Sequence, residues 1–448
     1  MSLDTDLANA IIGIDTLWGG DVLNPSGTGR FIADSWFSDQ PLPVAYTDPA
    51  AAKVRESGGV GPKEDRAAID AYLWRVDIDG AIESVAGAAK RTGGMRGDYF
   101  QGLALCFRVM WDLAMELHGK GEQVPYDRCV EAITGRKPEP SSPEAKRNRV
   151  GELLARAGYP STDVNTLLAA VDAWRRARIV ERKAIPAVAQ TMIAKLDALA
   201  ARNLAPCVPE ALRTVPRANV TFLPIENAWF SGSMNYLGRR RNADGAPEYE
   251  ATYELNASLQ ISLPEFEQLV SHEVVPGHVT TFAFLQDLYW RGQLGFEASV
   301  LTMNTRAAAL FEGIANNAIL IAYGVTEIDQ IPDRDLQIGL LLAQLQDDAK
   351  NQSSFLTWKE GRPKEGVAAE LRRDYLVSEE RADKLSGAWG RHPLLGRMTL
   401  PAYRFGTEVV ARLRRTHPAR EVLPLLYGAK GVVDAITVQH AISPSGSP

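Results

Sequence analysis

The chain has 448 residues, of which 45% are hydrophobic, with a formal net charge of −6 and a pI near 5.7. That length predicts one large or two modest domains whose core needs no covalent staples. The mild acidity argues against a nucleic-acid partner or an anionic membrane surface.

Cys106, Cys129 and Cys207 are dispersed and form no C-x-x-C pair, which predicts reduced thiols in a reducing compartment. Met1-Ser2-Leu3-Asp4-Thr5-Asp6 is acidic and has no apolar signal-peptide core. No stretch of about eighteen apolar residues lacks charges, so no membrane span is predicted. The expected location is the cytoplasm.

In chain order, Asp4 to Leu17 reads as a helix, broken by Gly19-Gly20 and Asn24-Pro25-Ser26-Gly27. Thr47 to Asp65 reads as a surface connection. From Arg66 to Leu117 the apolar period is helical. Within it, Leu103 to Leu117 is apolar except for Arg108, Asp112 and Glu116, which recur every four residues as one narrow polar stripe on a buried helix. A loop at residues 137–143 leads to a helix start with Ser142 as N-cap and Pro143 at the first helical position. Two charged helices follow, Glu144 to Ala157 and Ser161 to Arg202, the second kinked or split at Pro186. Arg175-Arg176-Ala177-Arg178 is read as a solvated face.

Near Val208 the texture changes, which divides the chain into a helical region, 1–207, and a second region, 208–448, packed closely together. Arg217 to Leu223 reads as a strand. Trp229 to Leu237 and Glu248 to Leu255 flank a polar loop as a hairpin, which Ala257 to Ser262 could extend. This small antiparallel sheet is the only one expected. Helices follow at Pro264 to Ser271, at Thr280 to Arg291 and, as one long apolar helix, at Ala298 to Tyr323. Leu336 to Leu345 is assigned to the core and Ser443 to Pro448 to a disordered tail. The fold class is mainly α (α+β).

The chemistry concentrates at Ser271-His272-Glu273-Val274-Val275-Pro276-Gly277-His278, which holds two of the six histidines. Imidazole and carboxylate are the common ligands of zinc, and an acid beside a ligand suggests a general base. In H-E-x-x-H the histidines are four apart on one helix face. Here they are six apart, about 240° around an ideal helix. Pro276 and Gly277 therefore predict a kink or bulge in the helix, Gly277 supplying the backbone freedom. Two readings stand: a bulge that returns His278 to His272, or two unrelated histidines.

A third ligand should be an acid in an apolar run, and Glu312 in Ala307-Ala308-Ala309-Leu310-Phe311-Glu312-Gly313 fits, because a buried carboxylate is costly unless paired or metal-bound. The alternative is a helix-edge Glu facing solvent. Asn316, one turn on, is placed to orient a ligand.

His272-Glu273-x-x-Pro276-Gly277-His278 with the later Glu312-Gly313 resembles the DUF885 family of bacterial proteins, grouped with the gluzincin-type zincin metallopeptidases. The resemblance runs from about Val215 to the C-terminus and more weakly through the N-terminal half. It implies a mostly helical, zincin-like fold with a small sheet beside the metal site. It also implies His272, His278 and Glu312 as ligands of one zinc ion and Glu273 as general base. The chain departs from the family pattern at Val279, where a further His is usual, and at Ile314, where a Trp is usual.

Zinc chemistry then predicts hydrolysis of a peptide or peptide-like substrate. An oxyanion donor is sought among Tyr403, Arg404, His392 and His440. Pro401-Ala402-Tyr403-Arg404-Phe405-Gly406 resembles a late family block, which makes Tyr403 the first choice; a core tyrosine is the alternative. Arg404 is a candidate substrate contact, and Asn235 and Tyr236 are candidates for the cleft wall or ordinary strand residues. His118, His417 and His440 read as structural. The arm Tyr249 to Leu259 could pair with an extended peptide. Two rivals remain: a non-haem metal enzyme with a two-His, one-carboxylate site, and a catalytically silent peptide-binding protein on the same scaffold.

Overall fold

The computed structural model describes residues 2–24, 32–56, 66–225, 232–256 and 260–442, and most of them are helical. The first helix, Leu3–Leu17, is capped by the Ser2 side chain and buried along most of its length. The helix Gly94–Leu117 contains the predicted polar stripe, and the stripe serves as a docking strip. Arg108 pairs with Asp79 and Glu83, Asp112 with Arg128, and Glu116 with the buried Arg397.

Where Ser161 to Arg202 was expected as one kinked helix, two form, Val164–Arg176 and Ile185–Asn203. The first opens on a capping box between Asp163 and Thr166. Pro186 lies in the first turn of the second, where a missing N–H costs nothing, so the break falls before it. Of the basic cluster's arginines only Arg176 is solvated: Arg175 pairs with Glu265 at 2.9 Å and Arg178 with Asp335 at 2.8 Å, joining this segment to two later helices. The helix before these two, Glu144–Arg156, begins with Pro143 rather than Ser142 at its cap.

The sheet near the motif has three strands, β2 (Val220–Ile225), β3 (Gly232–Tyr236) and β4 (Ala251–Asn256), in the order β2-β4-β3. The hairpin pairs antiparallel, Met234 opposite Tyr253, but β2 joins β4 in parallel, Phe222 opposite Tyr253. The sheet is thus mixed, not purely antiparallel. Because β4 is central, its backbone groups are already used, and the predicted peptide pairing along this arm is closed; the outer edges belong to β2 and β3.

A second sheet, unforeseen, pairs β1 (Ala33–Trp36) with β5 (Val300–Thr302). β5 lies inside the stretch expected as one helix from Ala298 to Tyr323. That stretch instead gives β5, then helices Arg306–Asn316 and Ala318–Tyr323. Thr305 caps the first of these, its side chain accepting from Ala308 N. A buried strand and a buried helix are equally apolar, so periodicity does not separate them.

The largest apolar cluster runs from Leu7 to Val438 and draws on both sides of position 207. The tail from Ser443 lies outside the described residues, as do residues 57–65 of the predicted surface connection, 226–231 at the hairpin's start and 257–259 of its possible extension.

Candidate metal centre

The helix that carries His272, Leu263–Glu273, stops directly after Glu273. The chain reverses through Val274–Pro276, with Gly277 N donating to Ser271 O at 3.0 Å, and a separate helix, His278–Trp290, begins at His278. The predicted kink within one helix is therefore a complete break. Gly277 is required by close approach: a Cβ there would lie 1.9 Å from His272 O and 2.4 Å from Ser271 O. Tyr427 Oη pins the turn by donating to Pro276 O at 2.7 Å.

The break returns the second histidine to the first. Nε2 of His272 and Nε2 of His278 lie 3.2 Å apart, with the rings nearly perpendicular. The Glu312 carboxylate faces both, 3.4 Å from His272 Nε2 and 3.8 Å from His278 Nε2. Glu312 comes from the helix Arg306–Asn316, which crosses the helix Leu400–Thr416 through glycines. A Cβ on Gly313 would sit 2.3 Å from Gly406 O, and one on Gly406 would sit 1.8 Å from Ala309 O. That backbone contact is what lets Glu312 and Tyr403 share one space.

Hydrogen bonding defines how His272 faces the site. Asn316 Nδ2 donates to Asp347 Oδ2 at 2.7 Å and to Thr407 Oγ1 at 2.9 Å. Its Oδ1 is thereby turned to His272 Nδ1 at 2.8 Å. An acceptor there favours the Nδ1–H tautomer and leaves the Nε2 lone pair directed at His278 and Glu312. Two imidazole nitrogens and a buried carboxylate thus converge on one point, where they could hold a cation. Two ligand atoms about 2.0–2.1 Å from a tetrahedral ion sit about 3.3 Å apart, close to the separations observed. The three residues fit zinc.

Burial opposes charge on His272, but the hydrogen bond to Glu312 and the charges of Glu273 and Glu312 outweigh it and raise its pKa. Burial pulls His278 down to about 4. Burial would raise Glu312, but His278 and His272 prevail and bring it to about 2. Glu273 is pushed up to about 7, chiefly by burial.

His272, His278, Glu273, Glu312 and Tyr403 all line one cavity of about 250 Å³. Phe282, Phe311, Met234, Trp389 and Leu400 form most of its apolar wall, and Asp34 and Ser233 add polar groups. Burial first, then Glu312 and Glu273, hold the Tyr403 hydroxyl well above its ordinary pKa, so it stays protonated.

Other predicted residues lie elsewhere. Arg404 turns away to Glu408 at 2.8 Å and to Pro140 O at 3.1 Å. Tyr236 is buried and donates to Gln286 Oε1 at 2.6 Å; it and Asn235 line a separate cavity that shares only Asp34 with the first. His392 Nδ1 accepts from Leu394 N and Leu395 N, and burial lowers its pKa to about 4. His118 contacts Leu17 O, whereas His440 is exposed.

Sequence reasoning missed Asp34, Asp347, Lys350 and Thr407. The last three carried a signal in their i, i+3 and i, i+4 spacing, Asp347 with Lys350 and Tyr403 with Thr407. Asp347 and Lys350 stand in a polar run that resembles a solvent face, yet they are buried.

No family model matches the chain, and no curated protein does. Among solved structures, a "putative lipoprotein" from Colwellia psychrerythraea aligns over 82% of this chain and 67% of its own, with 15% identity and a TM-score of 0.52. Another lipoprotein so described, of unknown function and from Shewanella oneidensis, aligns over 91% and 79%, with 14% identity and a TM-score of 0.50. At these identities the likeness is one of fold.

The names of both neighbours overturn the predicted cytoplasmic location. The cysteine argument for it also fails physically. Cys106 and Cys129 are buried, and burial pushes each thiol up to about 12, so they are unreactive whatever the compartment.

Proposed function

We propose that the chain is a zinc-dependent hydrolase of peptide or peptide-like bonds and a member of the DUF885 family. The observation that carries this reading is the convergence of His272, His278 and Glu312 on the wall of the cavity that also holds Glu273 and Tyr403.

A zinc ion held by the three side chains supplies Lewis acidity and an acidified water. The chain's own groups do the rest. Glu273, with a carboxyl near 7, takes the proton of the attacking water and returns it to the leaving amine. Tyr403, kept protonated, donates a hydrogen bond to the oxyanion that develops on the scissile carbonyl. His278 stays neutral at physiological pH, as a ligand must. The wall of Phe282, Phe311 and Trp389 excludes water and suits an apolar side chain beside the cleaved bond.

Elemental analysis of protein purified without chelator is expected to find one zinc per chain. A peptide library is expected to be cleaved by the wild type and not by Glu273→Gln. Absence of stoichiometric metal, or undiminished cleavage by the variant, refutes the reading. Iron in place of zinc, or zinc without cleavage, points to the rival oxygenase or binding-protein readings.

A further inference from the structure

We propose that Asp347 is a positioning residue that ties the imidazole of His272 and the phenol of Tyr403 into one unit, through Asn316 on one side and Lys350 on the other. The proposal rests on the reading of the cavity as a zinc site.

Four helices each contribute to this unit. Asp347 and Lys350 stand one turn apart on the helix Arg334–Ser354. Glu312 and Asn316 stand one turn apart on theirs, and so do Tyr403 and Thr407. His272 closes the group. Spacings of three and four residues put each pair on one helix face.

The two oxygens of Asp347 have separate tasks. Oδ2 accepts from Asn316 Nδ2 at 2.7 Å and is 3.1 Å from Thr407 Oγ1. An amide is symmetric in shape but not in polarity, so an anionic acceptor on one side decides which way Asn316 points. With Nδ2 held by Asp347, Oδ1 must meet His272 Nδ1, and the lone pair of Nε2 is directed at the site. Oδ1 of Asp347 accepts from Lys350 Nζ at 3.1 Å. That ammonium lies over the face of the Tyr403 ring, 3.2 Å from its centroid. A cation over a desolvated aromatic face is attracted to the ring and restrains its tilt.

Asp347 is 4% exposed and Lys350 7%. Neither charge has water to fall back on, so each holds the other in one geometry. A purely structural ion pair would have no reason to divide its contacts between a metal-ligating imidazole and a cavity-lining phenol.

The first readout needs neither metal nor turnover. In metal-free wild type carrying 15N-labelled histidine, at alkaline pH where the ring is neutral, His272 is expected as the Nδ1–H tautomer. In Asp347→Asn it is expected as a mixture, with zinc affinity, read by chelator competition, about 10–100-fold weaker. An Nε2–H tautomer in the wild type overturns the proposal without any variant, even if the protein proves to bind zinc and cleave peptides. So does an Asp347→Asn protein whose tautomer and zinc affinity are unchanged while only its melting temperature falls.

The other arm is tested with Lys350→Met and ring-labelled tyrosine, the Tyr403 signal being assigned by its loss in Tyr403→Phe. The Tyr403 resonance is expected to shift and zinc affinity to change less than about threefold. An unmoved Tyr403 resonance overturns that arm. A wild type that binds no zinc but shows the expected tautomer and shift keeps the positioning unit and refutes only the zinc reading.

Discussion

Replacing Gly277 by alanine tests whether the turn between the two histidines makes the site. The added methyl would sit 1.9 Å from His272 O, and side-chain carbons essentially never approach within 3.0 Å of another heavy atom. The turn must therefore open by more than 1 Å, and the obstacle is backbone, which cannot rotate away as a side chain can. Overpacking a tight interior costs about 1–3 kcal/mol, with the upper end fitting a clash of this depth. The same displacement acts on the two proposed ligands, because His278 is the first residue after Gly277 and its Nε2 sits 3.2 Å from His272 Nε2. Metal sites tolerate shifts of only about 0.2 Å. Gly277→Ala is therefore expected to lose about 3 kcal/mol in urea unfolding of the metal-free protein and to bind zinc at least about tenfold more weakly. A variant within about 0.5 kcal/mol of wild type, with unchanged zinc affinity, refutes the argument that this turn is set by close packing.

Glu312→Gln is expected to abolish stoichiometric zinc binding while the metal-free fold persists; elemental analysis and circular dichroism check this. Arg397 is buried with both oxygens of Glu116 at 2.9 and 3.1 Å. Arg397→Met removes both bonds and leaves the partly exposed Glu116 carboxylate with only the Val124 N–H, which should cost about 1–3 kcal/mol in chemical denaturation; a loss below about 0.5 kcal/mol counts against it. Asp15 is pushed by burial from 3.8 up to about 7 in the fold, against the backbone N–H groups of Ala33 and Ile32. The folded state thus binds the proton more tightly, so this stabilisation is fully present below about pH 4 and is lost as the pH rises through 7. Asp15→Asn should shrink the drop in stability between pH 5 and pH 8; an unchanged drop rules Asp15 out as its source.

Much of the helical framework was legible because it depends on local signals. The helix from Leu3 and the stripe of Arg108, Asp112 and Glu116 follow from period and charge spacing. The errors share a cause. β5 was read into a helix because a buried strand and a buried helix are both apolar throughout. β2 was paired wrongly because a parallel neighbour leaves no mark on its own sequence. The Arg175 cluster looked solvated because its partners, Glu265 and Asp335, are distant in the chain.

For the site itself, residue chemistry alone singled out the pair of histidines, the acid after the first, and Glu312 as a carboxylate too apolar in its setting to be idle. It also showed that a straight helix could not unite His272 and His278. Only the tertiary structure decided that the helix ends outright, that Gly277 lies against the carbonyl of His272, and that Gly313 and Gly406 let two helices touch. Those are distances between backbones brought together by packing. Asp347 and Lys350 were hidden for the same reason: a polar run declares its charge in the sequence, but whether it meets water or, through Asn316, the His272 ring depends on the helices packed around it.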